Sequence, residues 1–182
     1  MKNINICEQD AYLALYQKSK TPIGTNWPER GKSQEEALTA NGNLGLLLGS
    51  ISNIMDVDLD CSEAKALADL ILPKPFAQFD RSTPDSGHFL FKGTSFGPTK
   101  KFAANGAKST LVELRGDGSQ TMIPPSVHPD GDSLVFKDLN PDAADIEYSD
   151  LLRSVSFLAA CAEITQLWSD GRRHDLALSF SG

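Results

Sequence analysis

The stretch Ile51-Ser52-Asn53-Ile54-Met55-Asp56-Val57-Asp58-Leu59-Asp60 decides how this chain is to be read. As a strand, its side chains alternate faces with period two. Met55, Val57 and Leu59 fall on one side, and Ile54, Asp56, Asp58 and Asp60 on the other. The first set is a core face. The second is a row of carboxylates spaced about 7 Å apart. Like charges that close repel, and Asp is depleted in strands to begin with. Two readings fit: an edge strand turned to water, or a site where a hard divalent cation with oxygen ligands removes the repulsion. Asp60 fits a supporting carboxylate or an exposed strand end.

Working outward, Leu44 to Leu48 is a continuous apolar run that reads as a strand, with Gly49-Ser50 turning it into Ile51 to Asp60 as a hairpin. Upstream, Ser33-Gln34-Glu35-Glu36 is a capping box opening a short helix to about Ala40. The spacing of Tyr12, Leu15 and Tyr16 predicts another helix over Glu8 to Lys18, followed by the turn-rich Thr21-Pro22-Ile23-Gly24-Thr25-Asn26-Trp27-Pro28. Downstream, Ser62 caps a helix from Glu63 to Leu72, which Pro73 and Pro75 end. Strands are expected at Phe76 to Ser82 and His88 to Lys92, around the turn Thr83-Pro84-Asp85-Ser86-Gly87.

Gly93 to Lys108 reads as a polar loop, and Thr110 to Arg115 with Gln120 to Ile123 as a hairpin about Gly116-Asp117-Gly118. Leu134 to Lys137 is a last strand and Tyr148 to Trp168 a helix. Strands in the middle with helices at the flanks predict an α+β fold with a mainly antiparallel sheet.

A second acidic residue lies in Leu111-Val112-Glu113-Leu114-Arg115, where alternation puts Glu113 and Arg115 on one face. Such a Glu is commonly surface, but beside a guanidinium suited to phosphate oxygens it also suits a metal site. His88 follows Ser86-Gly87, where a glycine lets backbone approach a ligand closely. Its imidazole could reach a phosphate with the Ser86 hydroxyl, or serve the structure alone. Arg81 could reach the same region.

The bulk numbers bound the function. The chain has 182 residues, 40% hydrophobic and 23% charged, which suits one domain over residues 1–170 and the start of a truncated C-terminal extension over 171–182. No apolar run reaches the roughly 18 residues of a membrane span, and the N-terminus lacks a signal-peptide stretch, so a cytoplasmic protein is expected. Cys7, Cys61 and Cys161 are scattered and form no zinc or disulfide pattern. The net charge of −7 argues against a broad nucleic-acid footprint. Carboxylates that hold cations soften that objection, as does the local gathering of Lys92, Lys100, Lys101, Lys108 and Arg115.

In order, Met55-Asp56-Val57-Asp58, Ser86-Gly87-His88 and Val112-Glu113-Leu114-Arg115-Gly116 resemble the DxD, SxH and third acidic motifs of the bifunctional primase-polymerase domain, in the archaeo-eukaryotic primase superfamily. Lys20-Thr21-Pro22-Ile23 through Trp27, with Asn43-Leu44-Gly45-Leu46 and Gly49, resembles its entry segment. Gln120 through Pro124-Pro125-Ser126-Val127-His128 resembles its Pro-Pro-Ser segment, so the resemblance spans roughly Lys20 to Phe136.

The resemblance implies a primase-like core with an RRM-like sheet carrying the site. It implies that Asp56, Asp58 and Glu113 bind two Mg2+ or Mn2+ ions, and that His88 with Ser86 contacts the nucleotide's phosphates. Arg115 matches a phosphate or nucleotide contact. Ser126 and His128 match a segment near the nucleotide pocket, where structuring the turn is an equal alternative.

Some relatives insert a zinc-binding stem, but Gly93 to Lys108 has no Cys or His, so no zinc is expected and primer extension is favoured over initiation. The implied activity is template-directed nucleotidyl transfer in DNA replication, as a DNA primase, a DNA polymerase or both. The implied partners are nucleoside triphosphates, a single-stranded DNA template with its primer, and a helicase region in the same full-length chain. Lys100, Lys101 and Phe102 are candidates to track a template backbone and stack a base. The competing readings are a metal-dependent nuclease and a non-catalytic nucleotide- or nucleic-acid-binding module.

Overall fold

The structure is a computed structural model and describes residues 4–25, 27, 31–81, 86–104 and 109–168. The expected turn at Thr83-Pro84-Asp85, the residues Asn26, Pro28 and Lys108, and the extension 171–182 lie outside the described residues.

The central strand is β3 (Ile54–Leu59), buried along its whole length. It pairs antiparallel with β5 (Gly87–Lys92) on one side and β7 (Thr110–Arg115) on the other. Beyond β5 lie β4 (Ala77–Asp80) and β9 (Val135–Leu139), and beyond β7 lies β6 (Lys100–Ala103). These form a six-stranded sheet in the order β6-β7-β3-β5-β4-β9. A second, three-stranded sheet holds β1 (Tyr12–Leu15), β2 (Asn43–Leu47) and β8 (Gln120–Ile123), with β2 in the middle. Three helices complete the described residues: α1 (Gln34–Leu38), α2 (Ser62–Ile71) and α3 (Tyr148–Leu167). The fold is α+β, and every ladder within the two sheets is antiparallel.

The alternation in β3 sorts the interior into two cores. Met55, Val57 and Leu59 pack with Phe89, Phe91, Val112 and Leu114 against α2 and α3. Ile54 joins Leu90 and Phe79 in a second core shared with the three-stranded sheet. The molecule is therefore layered: helices, large sheet, small sheet. Asp56 and Asp58 lie on the face turned to the small sheet.

Four expected elements come out differently. The predicted helix over Glu8 to Lys18 is the strand β1, all four of its residues buried. A run of four apolar residues satisfies either period, and pairing with β2 decides it. The Tyr12 hydroxyl also receives the Cys7 N–H at 2.9 Å, tying the preceding chain to the strand. The two predicted hairpins do not form: β2 and β3 belong to different sheets, as do β7 and β8.

Both connections cross between the sheets at the same place. Asp117 Oδ1 accepts the Ser50 N–H at 2.8 Å and the Ser50 hydroxyl at 3.0 Å, clasping one crossover to the other. Gly49 has φ +80°, and a Cβ there would lie 2.1 Å from Asp117 Oδ1, so only glycine fits. Finally, the loop expected over Gly93 to Lys108 contains the edge strand β6, with Lys101 opposite Glu113 and Phe102 opposite Val112. Its polar sequence suits an edge facing solvent on one side. By contrast, the capping box is present as read, Ser33 Oγ accepting the Glu36 N–H at 3.3 Å. Ser62 is the first residue of α2 instead of its cap, a position taken by Cys61.

Candidate metal and nucleotide site

Register brings the acidic residues together. Asp58 lies directly between His88 on β5 and Glu113 on β7, and Asp56 between Leu90 and Arg115. All point to the face away from the helices. Asp56, Asp58 and Glu113 are buried, at 0%, 5% and 7% exposure.

Arg115 holds the cluster. Its guanidinium binds the Asp58 carboxylate and reaches Glu113 Oε2 at 3.1 Å, with Asp56 Oδ2 at 3.9 Å. On the other side, His88 Nδ1 lies 2.9 Å from Asp56 Oδ2, and Nε2 lies 3.5 Å from Asp58 Oδ1. The His88 ring stacks on Phe79 with centroids 4.5 Å apart and planes 9° from parallel, which fixes its orientation. Burial pushes the His88 pKa down, but Asp56 and Asp58 outweigh it and raise it above its ordinary value. Burial likewise opposes ionisation of Asp56, yet the His88 and Arg115 charges hold its carboxyl below the ordinary range. The Thr121 hydroxyl, buried nearby on β8, also favours the Asp56 anion without making a hydrogen bond of ordinary geometry.

Among the described residues, the carboxylates that can share one cation are Asp58, Asp60 and Glu113, whose oxygens lie within 4.8 Å of one another. Asp56 stands one step along the strand with its carboxylate turned to His88. Three carboxylates with hard oxygen donors fit a divalent ion such as Mg2+ or Mn2+. Asp60 is exposed at the strand end and was the weakest of the row in sequence. What promotes it is the bend of chain after Leu59, which sequence does not display.

Asp60 also makes the site sensitive to pH. Loss of solvent and then the Asp58 charge raise its pKa from 3.8 to about 6. Between those values the folded, metal-free chain keeps a proton that the unfolded chain has released. Its stability therefore falls as pH rises through that window. A cation displaces the proton, so metal affinity should move the other way. Mn2+ titrations by calorimetry are expected to show roughly tenfold tighter binding at pH 7 than at pH 5, from one competing proton. Asp60→Asn should bind more weakly and lose this pH dependence; an unchanged profile would remove Asp60 from the site.

The remaining expected residues divide. Ser86 immediately precedes β5, and its carbonyl accepts the Lys65 ammonium at 2.8 Å, which also grips Asp80 Oδ2 at 2.9 Å. This pins the start of the His88 strand to α2. Ser126 is buried with its hydroxyl engaged by β2: it receives the Leu44 N–H at 2.8 Å and donates to the Leu44 carbonyl at 3.1 Å. These two bonds tie the turn after β8 to β2. Ser126→Ala should lower stability by about 1–2 kcal/mol, since both Leu44 groups lose a buried partner. Nucleotide affinity should stay the same, and a selective affinity loss without a melting shift would return Ser126 to the site.

Of the β6 residues, only Lys101 reaches the carboxylates, at 3.3 Å from Glu113 Oε1. Phe102 is half-buried and packs against the helix-side core. Asp130 and His128, outside the three motifs, join the periphery: His128 Nδ1 lies 3.0 Å from Asp130 Oδ2, and Arg81 Nη1 3.4 Å from the same oxygen.

Among the described residues no helix is long and apolar enough to cross a membrane. No curated protein matches the chain at a significant level. The family model of the bifunctional DNA primase/polymerase, N-terminal domain, matches residues 8–145. That span contains the whole carboxylate face, with its imidazole and guanidinium on the same three strands. The chain is therefore a member of the bifunctional DNA primase/polymerase N-terminal family, a family of primase- and polymerase-type nucleotidyl transfer.

Proposed function

We propose that this domain joins nucleotides to the 3′-hydroxyl of a DNA strand, using a divalent cation held by Asp58, Asp60 and Glu113, with Asp56 positioning His88 beside it. The observation that carries this reading is the meeting of Asp58 and Glu113 across one strand pair, with His88 on the other side of Asp58. A cation bound there neutralises phosphate charge and lowers the pKa of the attacking hydroxyl.

The chain's own residues do the rest. Asp58 and Glu113 present oxygens from neighbouring strands whose positions the ladder fixes, so little reorganisation accompanies binding. His88, stacked on Phe79, offers an imidazole N–H to a phosphate oxygen. Asp56 orients that ring through Nδ1. Arg115, now engaged with carboxylates, is placed to turn its guanidinium toward phosphate once a cation takes over their neutralisation. Lys101 is exposed at the sheet edge beside Glu113 and suits a backbone phosphate of the primer or template. No protein nucleophile is required.

The test is a labelled primer on a single-stranded template with Mg2+ or Mn2+. Lengthening that depends on added nucleoside triphosphates supports the reading. Shortening of the strand without nucleotides would make the protein a nuclease, and nucleotide binding with no product would make it a binding module.

A further inference from the structure

The strand that carries His88 is held unevenly at its start. On the β3 side the ladder runs through His88, opposite Asp58, to Gly87, opposite Leu59. On the β4 side it ends at His88, opposite Phe79, so Gly87 and Asp80 fall just beyond it. A strand end held on one side opens at little cost. His88 sits at that end, yet its ring meets three neighbours at once: Asp56 at 2.9 Å, Asp58 at 3.5 Å, and the Phe79 ring with centroids 4.5 Å apart.

A clasp takes over where that ladder stops. The Lys65 ammonium reaches from α2 and donates to Asp80 Oδ2 at 2.9 Å and to the Ser86 carbonyl at 2.8 Å. Asp80 in turn lies against the backbone of Gly87. A Cβ at Gly87 would stand 2.6 Å from Asp80 Oδ1 and 3.7 Å from Lys65 Cε. The glycine ahead of His88 therefore makes room for this carboxylate, where the sequence suggested room for a ligand. The Lys65 and Asp80 side chains are only 24% and 18% exposed, so solvent screens their attraction in part. Neither belongs to the three motifs.

We propose that Lys65 and Asp80 are positioning residues for His88, their ion pair closing over Gly87 to fix the open side of β5 and the reach of the imidazole toward Asp58. The consequence for nucleotide binding rests on the nucleotidyl-transfer reading, in which His88 meets the nucleotide, and the clasp acts there through that ring alone. The carboxylates that share a cation are carried by β3, β7 and the chain after Leu59, and they stand outside the clasp. Metal affinity should therefore not depend on it. A role confined to stability would weaken metal and nucleotide binding together.

The test compares the full chain as wild type, Lys65→Met, Gly87→Ala and the conservative Lys65→Arg, with circular dichroism and melting to verify each fold. Proton NMR reads the His88 ring, whose signals are assigned by their loss in His88→Ala and are displaced by the stacked Phe79 ring. In Lys65→Met and Gly87→Ala they should move toward those of an unstacked imidazole, while the His128 signals stay in place. Lys65→Arg should return them. By calorimetry, Lys65→Met should bind dATP with Mg2+ about tenfold more weakly and Mn2+ alone within about twofold of wild type. Added to His88→Ala, the same substitution should cost less than about twofold further, since both changes act through one ring. Unmoved His88 signals in folded Lys65→Met overturn the proposal, as does an undiminished dATP loss in the His88→Ala background. If Lys65→Met does not fold, Gly87→Ala decides alone, since it blocks the clasp by bulk and keeps both charges. Primer extension separates the two readings. A wild type that never extends a primer, with His88 signals that move in the variants, retains the clasp and discards the transferase. Extension with a nucleotide KM unchanged in Lys65→Met does the reverse.

Discussion

Asp58→Ala and Glu113→Ala are each expected to reduce primer extension by at least about a thousandfold while leaving the fold intact. Each removes one of three carboxylates that converge within 4.8 Å, and the two that remain leave too few oxygens to hold a hard cation tightly. A thousandfold loss is about 4 kcal/mol of transition-state stabilisation, the scale on which a metal acts on phosphoryl oxygens. Mn2+ affinity should fall in parallel, measured by calorimetry without nucleotide. Asp56→Ala should act differently, because that carboxylate faces His88: the main defect should be a raised nucleotide KM from a disoriented imidazole. Undiminished extension by both Asp58→Ala and Glu113→Ala would end the metal-site reading. A variant that binds Mn2+ normally yet fails to extend would move the acid from metal binding to another step.

The second large effect concerns stability. Arg115→Ala should destabilise the metal-free protein by about 3–5 kcal/mol, the usual result of stripping the counter-ion from buried charge. Asp58 and Glu113 both lean on this guanidinium, and Asp56 lies 3.9 Å from it. For a domain of this size that is a melting shift on the order of 10 °C. Mn2+ should then raise the melting temperature of the variant more than that of wild type, since the ion replaces a missing cation in one and competes with a present one in the other. Equal Mn2+ shifts in both proteins, or a melting loss below about 1 kcal/mol, would show that Arg115 does not neutralise the cluster.

Much of the site was legible because a strand's side-chain direction is a local property. Asp56 and Asp58 could be assigned to one face from their alternation with Met55, Val57 and Leu59, and the two cores divide along that line. Glu113 and Arg115 followed by the same rule on β7. Ser33 and Glu36 announced α1 because a capping box is satisfied within four residues. The misplaced parts were pairings. Leu44 to Leu48 beside Ile51 to Asp60 looks like a hairpin in one dimension, yet Gly49 and Asp117 route the chain between sheets. Phe102 was given to the solvent because nothing local reveals that β7 would seat it against the helix-side core.

By itself, then, the order of residues determined which side chains share a face, where α1 starts, and which acids and bases belong to one motif set, since each depends on backbone period and near neighbours. Tertiary structure alone decided that Asp60 joins Asp58 and Glu113 while Asp56 turns to His88. It alone closed Lys65 and Asp80 over Gly87. Those groups come from distant points in the chain, and their distances are set by cross-strand register and by the packing of helices and sheets, which no local pattern encodes.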